Sequence, residues 1–232
     1  TFPTLKLCRE NGRASGGASE GATVKVTVVA EASKTAITVD APALTNDSTP
    51  TIAGTTDLPA GSTVTLTVTG ANGAVQTFTT TVQAGGTYSA DVPVALVSGN
   101  FGVVARGVDA AGNAATASDT GIVDVTPPAI TVDAPALTND NTPTITGTTD
   151  LPSGSTVTLT VTGANGTVQT FTATVQPGGT YSADVPAALV EGNFNVVARG
   201  VDAAGNAASA NDSGVIDTTA PTLTVDAPAL TN

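Results

Sequence analysis

The clearest pattern in the chain is a strict alternation of apolar and polar residues over residues 62–70. Val64, Leu66 and Val68 fall on one side of this stretch, and threonines occupy the positions between them. Successive side chains of a β-strand point to opposite faces, so this period of two predicts a strand with one buried and one exposed face. Asn72-Gly73 follows directly and is typical of a tight hairpin turn, because both residues accept positive φ angles. A returning strand is therefore predicted over residues 74–83.

Five further segments near this hairpin carry strand signals, and turns rich in Gly, Pro or Asn separate them. No stretch shows an apolar stripe of helical period. About seven short strands in some 90 residues indicate an all-β, two-sheet Greek-key sandwich. The seven predicted strands cover residues 36–44, 51–56, 62–70, 74–83, 87–92, 101–109 and 117–125.

The whole pattern occurs twice, because the sequence repeats with a period of 93 residues. The ten residues that begin at Thr38 (TVDAPALTND) return at Thr131, and nine of them return at Thr224. Residues 38–130 and 131–223 are identical at 75 of 93 positions. A unit of this length is large enough for a self-contained domain. We predict tandem domains at residues 35–127 (unit 1) and 128–220 (unit 2), and the start of a third at 221–232.

Residues 1–34 do not match the repeat. They are predicted to be an atypical leader or the end of a preceding domain, with a strand over residues 22–30. The third copy opens without being completed, as expected of a segment cut from a longer array. The joint between units, Thr126-Pro127-Pro128, has no flexible Gly/Ser run, and proline stiffens a connection. The sequence therefore predicts a rod of sandwiches joined end to end.

Composition and charge limit what such a rod can bind. The net charge is −12, yet sixteen of the 19 acidic residues and only two of the seven basic residues lie from residue 35 onward, which leaves that part at −14. A surface of this sign repels nucleic acid and anionic lipid and attracts cations. No apolar run approaches the roughly 20 residues of a membrane span. We therefore expect no nucleic-acid partner and no membrane insertion in this segment.

Catalytic chemistry has little support in the residue types present. The chain has no His and a single Cys, which excludes Ser-His and Cys-His catalysis and the usual zinc sites. Paired carboxylates suit glycoside hydrolysis. However, the acidic residues recur at the same turn positions in both copies, which favours a structural role. We predict that the chain is not an enzyme.

Calcium is the remaining candidate ligand, because it takes six to eight oxygen donors. In the predicted sandwich, the turns after the second and sixth strands share a pole, and the last strand of the preceding unit ends beside it. This topology brings Asp124 of unit 1 toward Asp150 and Asp202 of unit 2. The equivalents one period earlier are Glu31, Asp57 and Asp109, and Asp217 stands at the end of unit 2. The alternative is that Asp57 and Asp109 only cap their turns, with solvated side chains.

Three motifs give the sequence a family resemblance: the strand Thr-Pro-Thr-Ile-x-Gly-Thr, the turn Val-Asp-Ala-Ala-Gly-Asn at 108–113 and 201–206, and the Asp-x-Thr-x-Pro joint. Residues 35–232 resemble bacterial immunoglobulin-like repeats, the extender domains of giant surface adhesins exported by type I secretion, including biofilm and ice-binding adhesins. The resemblance implies an immunoglobulin-like sandwich in an extracellular, calcium-stiffened stalk that carries a distant binding domain. It also implies that Asp109, Asp124, Asp202 and Asp217 are calcium ligands.

Two other functions remain open at the level of sequence. One is a carbohydrate- or ligand-binding module of a secreted protein, although the tyrosines and phenylalanines of both units all fall on inward-facing registers. The other is a self-assembling surface filament, in which the strand at residues 22–30 adds to the sheet of a neighbouring chain. The partners expected in all cases include the neighbouring repeats of the same chain.

Overall fold

The computed structural model describes residues 35–226, and this part of the chain is all-β. It contains twelve strands, six in each unit, and no helix that is long and apolar enough to cross a membrane. The expectations for residues 1–34 and for the end of the third copy, including the strand at 22–30 and Glu31, lie outside the described residues. In unit 1 the strands are β1 (Thr51–Thr55), β2 (Thr63–Thr69), β3 (Val75–Thr81), β4 (Thr87–Asp91), β5 (Gly99–Val108) and β6 (Ala114–Val123).

Unit 2 repeats the order of unit 1. Its strands are β7 (Thr144–Thr148), β8 (Thr156–Thr162), β9 (Val168–Thr174), β10 (Thr180–Asp184), β11 (Gly192–Val201) and β12 (Ala207–Ile216). All pairings between these strands are antiparallel: β1 pairs with β4, and a four-stranded sheet runs in the order β3-β2-β5-β6. Unit 2 has the equivalent sheets, β10-β7 and β12-β11-β8-β9. The predicted all-β sandwich is therefore confirmed.

The alternating pattern of β2 produces its two faces as predicted. Val64, Leu66 and Val68 are fully buried between the sheets, and Leu66 lies opposite Phe78 of β3 in the hairpin. Gly73 supplies the positive φ of 78° that the tip of this hairpin requires. Each unit has its own cluster of buried apolar side chains, and the two clusters share no residue. Burial of these branched side chains provides the main driving force for each sandwich.

The opening segment of each unit differs from the continuous strand that the sequence predicts. It forms only isolated bridges, first antiparallel to β1 (Asp40 with Ala53) and then parallel to β6 (Thr45 with Val123). The segment therefore crosses from one sheet to the other, and Pro42, which has no N–H to donate, lies within the crossing. The carboxylate of Asp119 on β6 accepts a bond from the Ala41 N–H at 2.8 Å and holds the crossing point.

A buried tyrosine fixes the same segment from the other side of the sandwich. The hydroxyl of Tyr88 donates to the carbonyl oxygen of Thr38, and Tyr181 makes the same bond to Thr131. Both rings are 2% exposed, and burial raises the pKa of each phenol to about 12. The opening segment is thus held to the rest of its unit by side chains as well as by main-chain bonds to both sheets.

Candidate functional site at the joint between units

Two of the predicted calcium ligands, Asp57 and Asp109, bind the first residues of unit 1. Asp57 Oδ1 accepts a bond from the Ala36 N–H at 2.9 Å, and Asp109 Oδ2 accepts one from the Thr35 hydroxyl at 3.3 Å. Because Thr35 and Ala36 are consecutive, the turn after β1 and the turn after β5 lie at the same pole of the sandwich. Asp57 is exposed to solvent and Asp109 is half-buried.

The Asp109 carboxylate also builds its own turn. Its Oδ1 accepts bonds from the N–H groups of Ala111 and Asn113, and its Oδ2 accepts one from the Asn113 side-chain amide at 2.8 Å. Hydrogen bonds to the charged form, chiefly those from Asn113, hold the pKa of Asp109 below its usual value. The turn-capping alternative thus describes one part of what Asp109 does.

Unit 2 repeats this arrangement beside the end of unit 1. Asp150 Oδ1 accepts a bond from the Ala129 N–H at 2.9 Å. Asp202 Oδ1 accepts a bond from the Asn206 N–H at 2.8 Å, and its Oδ2 accepts one from Asn206 Nδ2 at 2.9 Å. The Asn206 amide is again the largest cause of the lowered pKa of Asp202. Asp202 therefore stays ionised at neutral pH, although its turn lies against another unit.

The Asn206 side chain connects the two units. Its Nδ2 donates a second bond, 2.7 Å long, to the main-chain carbonyl oxygen of Asp124. The Asp124 N–H donates to Thr45, which anchors this residue in unit 1, and its carboxylate caps the Thr126 N–H at 3.0 Å. Asp124 therefore reaches unit 2 through its main-chain oxygen, whereas the sequence pointed to its carboxylate.

The two units also come close to each other next to this bond, at Gly205 of unit 2 and Asn46 of unit 1. A Cβ placed on Gly205 would come within 3.4 Å of the Asn46 side-chain nitrogen of unit 1, whereas one placed on the equivalent Gly112 meets no atom of residues 35–226 within 4 Å. Asp124 is half-buried, whereas its equivalent Asp217 at the end of unit 2 is exposed and caps the Thr219 N–H. The turn of unit 2 thus covers the end of unit 1.

The donor chemistry at the joint fits a hard cation, although the ligand set is incomplete. Asp202 Oδ2 and the Asp124 carbonyl oxygen converge on one position, which the Asn206 amide nitrogen occupies. Only oxygen ligands are offered, as calcium prefers. No group of three or more acidic, His or Cys side chains is close enough to hold a metal anywhere in residues 35–226. Asp150 is on the same pole but is exposed and bonded to the main chain.

Comparison with protein families assigns the fold. The model of the bacterial Ig-like domain matches residues 22–125 and again residues 130–218. The chain belongs to the bacterial Ig-like domain family. Each Ig-like unit is thus one member of this family, as the resemblance of its motifs implied.

Solved structures similar to the tandem of Ig-like units include three from large adhesins. A tetra-tandem repeat in the extending region of a large adhesion protein is 34% identical over 80% of this chain and 50% of its own, with a TM-score of 0.41. A second structure concerns the retention of a 1.5-MDa bacterial ice-binding adhesin on the surface of its host cell. It is 29% identical over 78% of this chain and 63% of its own, with a TM-score of 0.41. The third is a Ca²⁺-stabilised adhesin that helps an Antarctic bacterium to reach out and bind ice. It is 32% identical over 79% of this chain and 49% of its own, with a TM-score of 0.44.

The chain thus spans between 49% and 63% of the length of these similar structures. The search of curated proteins gives no match.

Proposed function

We propose that this chain is a section of the extending stalk of a bacterial cell-surface adhesin, outside the cell, in which Ig-like units hold one another end to end. The observation that carries the proposal is the bond from Asn206 of unit 2 to the Asp124 carbonyl of unit 1. It joins the pole where one unit ends to the pole where the next begins. The same motifs recur every 93 residues, so the contact suits an array whose partners are its own neighbouring repeats.

The joint itself supports extension. Only a short segment separates the last strand of unit 1 from the first bridge of unit 2 at Ile130, and it contains Pro127 and the buried Pro128. Proline fixes φ, so this short connection is stiffer than a Gly/Ser-rich linker. The excess of acidic residues adds mutual repulsion between units, which favours a long shape over a compact one.

Calcium is the ion that we propose for this joint. The ligands would come from Asp124, Asp150 and Asp202, with Glu31, Asp57 and Asp109 in the equivalent place before unit 1 and Asp217 at the joint after unit 2. The support is the convergence of two oxygens from different units and the net charge of −14 from residue 35 onward, which a cation would partly neutralise. Bound calcium would supply charge neutralisation and a further link between units.

The alternative of a carbohydrate-binding module loses support from the fold. Flat sugar platforms use exposed aromatic rings, but all aromatic side chains of the described residues are buried or half-buried. We expect no catalytic activity from the chain. The remaining alternative, a filament built by the strand at residues 22–30, depends on residues outside those described.

Thermal melting and small-angle scattering with calcium or chelator test the proposal. At millimolar calcium, a site with a dissociation constant of about 10⁻⁵ M is stabilised by roughly 2.7 kcal/mol. Chelation should lower the melting temperature and widen the range of angles at the joint. Asp202→Ala should remove most of the calcium-dependent change in scattering that arises at this joint. Asp109→Ala, which removes a proposed ligand at the far pole of unit 1, should leave that change intact. Identical curves in calcium and chelator would exclude the ion, and a compact scattering profile in both would exclude the stalk.

A further inference from the structure

We propose that Asn206 is a metal-independent clasp, which keeps the two units docked when no ion is bound. Both hydrogens of its amide nitrogen are used: one bonds Asp202 Oδ2 within unit 2 and the other bonds the Asp124 carbonyl of unit 1. The clasp goes beyond the proposed function, because it stabilises the joint by hydrogen bonds that need no ion.

The orientation of the amide follows from its surroundings. Turning the side chain over would place Oδ1 against a carboxylate and a carbonyl oxygen, both of which only accept hydrogen bonds. The nitrogen therefore faces the joint. The ionised Asp202 makes this a charge-assisted bond, and such bonds are stronger than those between neutral groups.

Both ends of the clasp are held by their own units. On the unit 2 side, the Asp202 N–H donates to the Asn206 carbonyl at 3.0 Å, and the Asn206 N–H donates to the Asp202 carboxylate. On the unit 1 side, the Asp124 N–H donates to the Thr45 carbonyl at 2.9 Å. Because donor and acceptor are already fixed, little conformational entropy is lost when they meet. The bond can therefore contribute most of its energy to docking.

Unit 1 provides a matched control in the same chain. Asn113 occupies the equivalent turn position and makes the equivalent bond to Asp109 Oδ2 at 2.8 Å, but it lies at the opposite pole from the joint. Asn113→Ala and Asn206→Ala therefore remove the same bonds inside a turn. Only Asn206→Ala also removes a bond between the two units.

The test measures the distance between spin labels on the two units. Val75→Cys and Val168→Cys place labels at equivalent, well-exposed positions, and Cys8→Ser removes the native thiol. In chelator, the parent chain should give a main, narrow peak from the docked joint. Asn206→Ala should lower the ratio of docked to undocked molecules about two- to tenfold, as expected for the loss of one hydrogen bond. Asn113→Ala should leave the distribution unchanged.

Three results would overturn the clasp: a parent chain that is already undocked in chelator, an unchanged peak in Asn206→Ala, or equal broadening in both alanine variants. Asn206→Asp keeps the size of the side chain but replaces the donor with a second carboxylate, so it should broaden the peak more than alanine does. Calcium added to Asn206→Ala then tests the proposed ion separately. A distance peak that narrows again in calcium would support the ion at this joint. An unchanged peak would exclude the ion and would leave the conclusion about the clasp, which is drawn in chelator, as it stands.

Discussion

A core truncation placed in one unit at a time tests whether the units fold independently. Leu66 and Leu159 are equivalent residues on β2 and β8, and both are fully buried. Leu→Ala at such a site costs about 2–5 kcal/mol, from the lost burial and the cavity that remains. For a domain of this size, each kcal/mol lowers the melting temperature by about 4–8 °C. A loss of about 3 kcal/mol therefore corresponds to a shift of about 12–24 °C.

Differential scanning calorimetry distinguishes independent from coupled unfolding. The parent chain should melt in overlapping transitions, because the two cores are nearly identical. In Leu159→Ala, about half of the unfolding enthalpy should move to the lower temperature while the other half stays, and Leu66→Ala should give the mirror result. A single transition that moves as a whole in either variant would show that the joint couples the units, and would refute the assignment of two independent domains.

Three further predictions concern single groups. The lowered pKa of Asp202 stabilises the fold at pH values above the unfolded pKa of about 3.9, and this stability is lost as pH falls through the folded pKa. Between pH 6 and pH 3, the melting temperature of Asp202→Asn should therefore fall less steeply than that of the parent chain. Equal slopes of melting temperature against pH would contradict the assignment. Gly147→Ala would press a Cβ onto the Thr131 carbonyl and the Tyr181 ring, so it should cost about 1–3 kcal/mol in denaturant unfolding. A Cβ on Gly102 meets no atom within 4 Å in the part of the chain that the structure describes, so Gly102→Ala should be nearly neutral. Tyr181→Phe removes a donor from Thr131 and should cost about 1 kcal/mol in the same assay, and an unchanged midpoint would argue against that bond.

The sequence predicts the regular part of the fold well, because local alternation determines it. The strand over residues 62–70 appears as β2, and the Asn-Gly turn appears at the tip of the β2–β3 hairpin. The opening segment was harder to predict. Its apolar residues suggest one strand, but its backbone pairs with two different sheets, and its position depends on Asp119 and Tyr88, which are distant in sequence.

The joint shows a second limit of reading the sequence. A search for acidic side chains finds Asp124 and Asp202 but overlooks Asn206, because an amide carries no charge. The Asp-x-x-x-Asn spacing in both turns was the available signal, since Asp and Asn favour such side-chain-to-backbone turns. The acceptor could not be found in this way at all. Every residue has a main-chain oxygen, and only the tertiary arrangement selects the one at position 124.

This choice of acceptor has a consequence for how arrays of such units change in length. The bond at 2.7 Å from Asn206 ends on a main-chain oxygen of unit 1, and a main-chain oxygen is the same whatever side chain stands beside it. The donor, in contrast, belongs wholly to the Asp202–Asn206 turn of the following unit. A unit that is duplicated, deleted or exchanged by recombination therefore brings its own donor and meets an acceptor that its predecessor always has. As far as this bond is concerned, copy number can vary without compensating substitutions in the neighbouring unit.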